Sequence, residues 1–236
     1  MIEVSSLTIR YGGVTSLDEL TVTFETGICG LIGPNGAGKT TFFNVLSGFV
    51  RPASGTVRAF GDDLLKMAHF RRARWGMRRS FQTEQAIADL SVYDNVAMIT
   101  SPLRGSARRA DVLGAIDFVG LGAPPGAKVG SLSAGQRRLV EVARAVAGKP
   151  RLILLDEPAA GLPAAETGHL TSVIRAVPGH TGALTILVDH DMSLVSAVCE
   201  TTAVLDFGKL IASGPTAAVL RDEHVIRAYL GTAEIS

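Results

Sequence analysis

Apolar positions along the chain change their spacing several times, and each change marks an element. Ile2, Val4, Leu7 and Ile9 fall at strand-like intervals up to Tyr11-Gly12-Gly13, and residues 20–24 alternate again before Thr26-Gly27, which predicts an antiparallel hairpin. Ile28 to Ile32 is continuously apolar and reads as a buried strand. Leu152-Ile153-Leu154-Leu155 and Leu184-Thr185-Ile186-Leu187-Val188 read as strands covered on both faces, as in a parallel sheet. Helical spacing takes over at Thr40 to Leu46, ended by Ser47-Gly48, and again from Leu90 to Leu121 through Val92, Val96, Ile99, Val112, Ile116 and Val119. Ser101-Pro102 and Gly105-Ser106 interrupt that second run, and a loop with Pro124-Pro125 follows it, so residues 90–135 are expected to form a small inserted helical subdomain.

Between these elements, a turn is expected at residues 51–55, a short strand at 56–60, another turn at Gly61-Asp62-Asp63, and a strand ending on Ser80-Phe81-Gln82. Leu132-Ser133-Ala134-Gly135-Gln136 opens a further helix, with Ser133 and Gln136 at capping-box spacing. Leu139, Val142, Ala143 and Val146 form its apolar face, Arg137, Arg138, Glu141 and Arg144 its charged one, and Pro150 ends it. Residues 202–206 and 210–212 predict a hairpin around Phe207-Gly208, and two short helices close the chain at 216–220 and 225–230. With the glycine-rich run Gly33-Pro34-Asn35-Gly36-Ala37-Gly38-Lys39-Thr40 set between a buried strand and a helix, the fold class is α/β: a phosphate-loop NTPase core of mixed sheet with flanking helices and an N-terminal antiparallel β subdomain, plus the helical insert.

Composition narrows this only a little. The 236 residues suit a single large domain, and 47% hydrophobic with 19% charged residues is a globular balance. A formal charge of +1 gives no electrostatic case for nucleic acid. No apolar run reaches bilayer-spanning length and the N-terminus has no signal-peptide core, so any membrane role is expected to be peripheral. Cys29 and Cys199 lie far apart in sequence and read as reduced core thiols. The arginines 71, 72, 74, 78 and 79 read as a solvated helix face.

The chemistry concentrates in Gly33-Pro34-Asn35-Gly36-Ala37-Gly38-Lys39-Thr40-Thr41, between a buried strand and a helix. Glycines let backbone N–H groups converge on phosphate oxygens, and the new helix presents its positive end to them. Lys39 supplies a charge for the outer phosphates and the Thr40 hydroxyl a ligand for Mg2+. Asp156 and Glu157 end the strand that starts at Leu152, where α/β ligands bind. Asp156 is placed to hold Mg2+ through water and Glu157 to polarise an attacking water. His190, at the end of the next strand, is either a γ-phosphate contact or a loop histidine. Tyr11 either packs on the sheet or stacks on a purine ring. The Ser133 helix end is a second anion-binding terminus, aimed at a phosphate that the chain's own loop need not hold.

In order and spacing, the phosphate loop, Gln82, the segment Leu132–Gln136, the strand ending on Glu157, and His190 resemble the ATP-binding subunit of ABC transporters over essentially the whole chain. The resemblance implies that Tyr11 stacks on adenine, that Gln82 touches Mg2+ and senses a membrane partner, and that Ser133, Ala134, Gly135 and Gln136 bind the ATP held by an opposite subunit. It implies a catalytic base at Glu157, a switch histidine at His190 and a metal-associated acid at Asp156. The implied cofactors are ATP and Mg2+. The implied partners are transmembrane permease subunits, a second ATPase subunit and, for the complex, a solute-binding protein, with no nucleic acid, at the cytoplasmic face of the membrane.

Asp156-Glu157-Pro158-Ala159-Ala160-Gly161-Leu162, Asp189-His190-Asp191-Met192 and the ending at residues 225–231 are similar to the branched-chain amino-acid importer group, which also serves urea and related small polar solutes. The alternatives are a lipopolysaccharide-exporter-like system, whose ATPase resembles residues 90–95 and 222–225, and a soluble ABC ATPase with no membrane partner. Two positions depart from the family pattern. Ala134 stands where glycine is usual, and Pro163 where aspartate or asparagine is common, which removes a side-chain hydrogen bond from the loop after Glu157.

Overall fold

The structure, a computed structural model, describes residues 1–100 and 105–230. The Ser101-Pro102 break and Gly231 lie outside them. Strands β1 (Ile2–Tyr11) and β2 (Val14–Phe24) form the expected hairpin about Gly12-Gly13. Its apolar spacing skips one position between Val4 and Leu7 because Ser6, at φ 47°, forms a bulge that shifts the register. Both halves of the strand thereby keep their apolar residues on one face.

β3 (Ile28–Ile32) leads through the glycine-rich loop into α1 (Lys39–Ser47), which stops at Gly48 in the left-handed conformation. β4 (Ser54–Ala59) joins β1. The turn expected at Gly61-Asp62-Asp63 falls one residue earlier, at Phe60-Gly61, so that β5 (Asp62–Asp63) pairs back onto β4. The arginine-rich stretch is not the expected solvated face. It splits into α2 (His69–Trp75) and β6 (Met77–Arg79), and Arg72 is buried. Arg72 Nη1 donates to the carbonyls of Val45 and Leu46 at 2.5 and 2.6 Å, satisfying the last turn of α1.

The helical run resolves into α3 (Val92–Ala97) and α4 (Gly105–Phe118), followed by α5 (Ala134–Val146). α5 ends at Val146 rather than running to Pro150, with its C-cap at Ala147. β7 (Leu152–Asp156) is followed by α6 (Ala164–Thr181), then β8 (Leu184–Val188) and α7 (Met192–Val198). Neither α6 nor α7 was evident from the sequence pattern. The hairpin β9 (Thr201–Asp206) and β10 (Lys209–Pro215) precedes α8 (Thr216–Val219) and α9 (Glu223–Leu230).

The strands make a four-stranded antiparallel sheet, β2-β1-β4-β5, and a six-stranded sheet, β10-β9-β3-β8-β7-β6, in which only β10 is antiparallel to its neighbour. Side chains of the larger sheet alternate between two cores. Cys29, Leu31, Leu152, Leu154 and Ile186 face α1 and the small sheet, while Ile28, Ile32, Ile153, Leu155 and Leu187 face α3 to α7. Two covered faces explain why these strands are apolar throughout. The carboxyl ends of β3, β6, β7 and β8 share one edge of the sheet, and each strand delivers a sequence-predicted residue there.

Candidate functional site

Two glycines give the loop after β3 its shape. At Gly33, φ is 151° and a Cβ would fall 2.1 Å from the Leu205 carbonyl oxygen of β9; at Gly38, φ is 103° and a Cβ would fall 2.7 Å from Ser16 O and Leu17 Cδ2. Gly38 is the N-cap of α1 and offers no side-chain acceptor. The first-turn N–H groups of α1 therefore face outward as donors for an anion. Lys39 folds back beneath them, its Nζ donating to the carbonyls of Gly33 at 2.6 Å and Pro34 at 2.8 Å. Burial lowers the Lys39 pKa from its ordinary value, an effect opposed by Glu157 and Asp156.

A cavity of about 190 Å3 opens over this loop, lined by Ser16, Asn35, Gly36, Ala37, Gly38, Lys39, Thr40, Thr41, Gln82, Glu157 and His190. Residues separated by more than a hundred positions meet here because their strands end side by side. Glu157 Oε1 accepts from Gln82 Nε2 at 2.8 Å and from His190 Nε2 at 2.9 Å, which leaves Oε2 uncommitted in this group of three. Glu157 itself has φ 48°, and its N–H donates to Val188 O at 2.7 Å.

Asp156 lies behind the cavity, 2% exposed. Its Oδ2 accepts from Arg79 Nη2 at 3.1 Å, whereas Oδ1 is buried without a hydrogen-bond partner. Burial raises its pKa, and Arg79 only partly offsets this. No group of three or more His, Cys, Asp or Glu side chains among the described residues makes a protein-only metal cage.

Tyr11 sits at the end of β1, 49% exposed, and Ser133, Ala134, Gly135 and Gln136 form the start of α5; none of them lines the cavity. The capping box predicted there is complete: Gln136 N donates to Ser133 Oγ at 3.2 Å, and Ser133 N to Gln136 Oε1 at 3.0 Å. Ser133 Oγ also donates to Glu166 Oε1 at 3.1 Å, bringing a carboxylate of α6 to the positive end of α5. Pro163 is the N-cap of α6 and supplies no side-chain acceptor, though its carbonyl accepts from Glu166 N and Thr167 N.

Three contributors escaped the sequence. Ser16 enters from β2, its Oγ 2.8 Å from Thr41 Oγ1, and carries no local signal. Arg138 ties α5 to the site, donating to Gln82 O at 3.3 Å and Ala160 O at 3.4 Å. Arg79 was counted among the arginines but read as solvated. A larger cavity, about 540 Å3, shares no lining residue with the first; it is walled by Phe49, Phe70, Phe81, Met98, Glu141 and Arg144 among others.

Residues 17–160 match the family described as ABC transporter, and residues 209–235 match the branched-chain amino acid ATP-binding cassette transporter family. The chain is 33% identical to the high-affinity branched-chain amino acid transport ATP-binding protein BraF of Pseudomonas aeruginosa, covering 99% of this chain and 98% of that one. It is 35% identical to the lipopolysaccharide export system ATP-binding protein LptB of Escherichia coli strain K12, covering 96% and 95%. A crystal structure of an ATP-binding cassette of an ABC transporter in its ADP conformation is similar in fold, with a TM-score of 0.86, 24% identity and 98% of each chain covered.

Proposed function

Because this chain belongs to the ATP-binding family of ABC transporters, we propose that it powers the uptake of branched-chain amino acids or a related small polar solute. It works as one of two ATPase subunits beneath transmembrane permease subunits, at the cytoplasmic face of the membrane, in a complex that a solute-binding protein serves. The importer reading is favoured over the exporter by the match of residues 209–235 to the branched-chain family. No helix among the described residues is long and apolar enough to cross a membrane.

The observation that carries the mechanism is a division of the site. One cavity gathers the phosphate loop, Gln82, Glu157 and His190, while the Ser133 end of α5 is a second anion terminus outside it. A second copy, or a similar chain, is the natural source of the phosphate for that terminus. Ser133, Ala134, Gly135 and Gln136 then close over the γ-phosphate held by the partner's loop, and Tyr11 stacks on the adenine. Nucleotide favours the closed pair because it touches both faces only there.

Within each half, Lys39 leaves the Gly33 and Pro34 carbonyls for the β- and γ-phosphates. Thr40 Oγ1, the Gln82 amide and Asp156 Oδ1 are the oxygens that would hold Mg2+, directly or through water, and the unpartnered Oδ1 is the feature that fits it. When bound, that ion neutralises charge on the phosphates. Glu157 orients water for in-line attack, with Oε1 fixed by Gln82 and His190 and Oε2 free to accept the proton; His190 then serves the γ-phosphate as a donor. The insert at 90–135 and the 540 Å3 groove beside it receive a cytoplasmic helix of the permease, with Phe49 and Phe70, 59% and 51% exposed, as apolar contacts.

Glu157→Gln tests this reading. It is expected to keep ATP affinity, to lower turnover by at least about a hundredfold, and to accumulate as an ATP-bound dimer in size-exclusion chromatography. Hydrolysis at the wild-type rate would remove Glu157 from the mechanism.

A further inference from the structure

Arg79 approaches the phosphate machinery from behind. It is the last residue of β6, and its side chain is 7% exposed. Its guanidinium bridges two elements, β7 and α1: Nη2 donates to Asp156 Oδ2 at 3.1 Å, and Nη1 donates to Asn44 Oδ1 at 2.8 Å and Ser47 Oγ at 3.2 Å on α1. Its Cζ lies 4.7 Å from the Phe81 ring centroid and 5.5 Å from that of Phe43. The fork is thus held by hydrogen bonds and by rings, in a plane that a lysine ammonium could not reproduce.

The partner of this fork is a carboxylate with one oxygen left over. The terminal torsion of an aspartate is broad, so a lone buried carboxylate can rotate either oxygen toward a ligand. Arg79 engages Oδ2 and leaves Oδ1 as the orphan. The ion pair is buried, its side chains 7% and 3% exposed, and the desolvation of two buried charges offsets their attraction, so the pair is poorly explained as a source of stability.

Resting on the Mg2+–ATP reading of Asp156 given above, we propose that Arg79 is a positioning residue for the metal: it fixes the plane of the Asp156 carboxylate so that Oδ1 is presented to the Mg2+ of the bound nucleotide. Arg79 touches neither metal nor nucleotide. It acts through Asp156 and is itself anchored on α1, the helix that carries Thr40, so both metal-side oxygens are referred to one support.

The test is calorimetric binding of a non-hydrolysable ATP analogue to the purified chain, in EDTA and across a Mg2+ titration. The wild type is expected to bind more tightly as Mg2+ is added, and Asp156→Asn to lose most of that gain. Arg79→Gln is expected to bind the analogue in EDTA within about twofold of wild type, yet to need roughly tenfold or more Mg2+ for half the gain, the usual scale for outer-shell partners of a metal ligand. Arg79→Lys should fall between the two. Asn44→Ala removes only an anchor of the guanidinium and should shift the Mg2+ midpoint in the same direction by about threefold. A folded Arg79→Gln with the wild-type midpoint overturns the proposal, as does an equal loss of affinity with and without Mg2+. Should Arg79→Gln fail to fold, an unshifted Asn44→Ala overturns it. A wild-type response in Asp156→Asn instead overturns the metal reading of Asp156 itself, and the positioning role with it.

Discussion

Glu157 holds a backbone angle that side chains with a Cβ avoid, at a cost on the order of 1 kcal/mol. Its N–H bond to Val188 O fixes the turn, and the turn swings the carboxylate to Gln82 and His190 rather than along the strand axis. Strain of this kind leaves no mark in the sequence, whereas the residue's place at a strand end does. The same contrast holds for the arginines. Five in nine positions look solvated, and only the fold reveals that Arg72 caps α1 and Arg79 reaches Asp156. The thiols were legible, because Cys29 sits in an apolar run. Both are free and buried, and burial raises Cys29 and pushes Cys199 up to about 12. Neither thiol should then react with a chromogenic disulfide reagent at neutral pH in the native chain, and both should react within seconds of mixing time once denaturant is added. Rapid labelling of folded protein would contradict the burial of both.

At the level of elements, caps and breakers decided what could be read in advance. The Ser133…Gln136 spacing announced its helix because a capping box is a local device, complete within four residues. Ser133→Ala should destabilise the chain by about 1 kcal/mol, seen as a lower urea midpoint with an unchanged slope; an unmoved midpoint would mean that Gln136 carries the cap alone. α6 is the opposite case. Leu170, Val173, Ile174 and Val177 bury a proper helical stripe, but Gly168, Pro178 and Gly179 interrupt the sequence and Pro163 replaces a side-chain cap. Packing on the sheet, not propensity, makes that helix. The N-terminal strands were legible in type, but their register was not, since a bulge at Ser6 is set by pairing with a distant partner.

Across the whole molecule, the two cavities are lined by consecutive residues: Phe81 lines the larger, Gln82 the smaller. Load on one wall therefore has a short path to the other. On the proposed docking of a permease helix, Phe49→Asp, placed in the larger cavity and away from the phosphate loop, should abolish co-purification of that permease while leaving nucleotide affinity of the isolated chain within about twofold; retention of the permease would move the proposed docking site elsewhere. The layered plan was legible because strands covered on both faces are apolar throughout, but the order of those strands was not. In that order, β3 lies between β8 and β9, both of which come far later in the chain. A ribosome making this protein completes Ile32 roughly 150 residues before the first neighbour of its strand begins at Leu184, an interval of about 10–30 s at ordinary elongation speeds. Throughout that time the nucleotide-binding loop hangs from an unpaired hydrophobic strand. A nascent chain halted before residue 184 should accordingly be chaperone cargo, and ATP can act as a folding ligand only for the finished polypeptide.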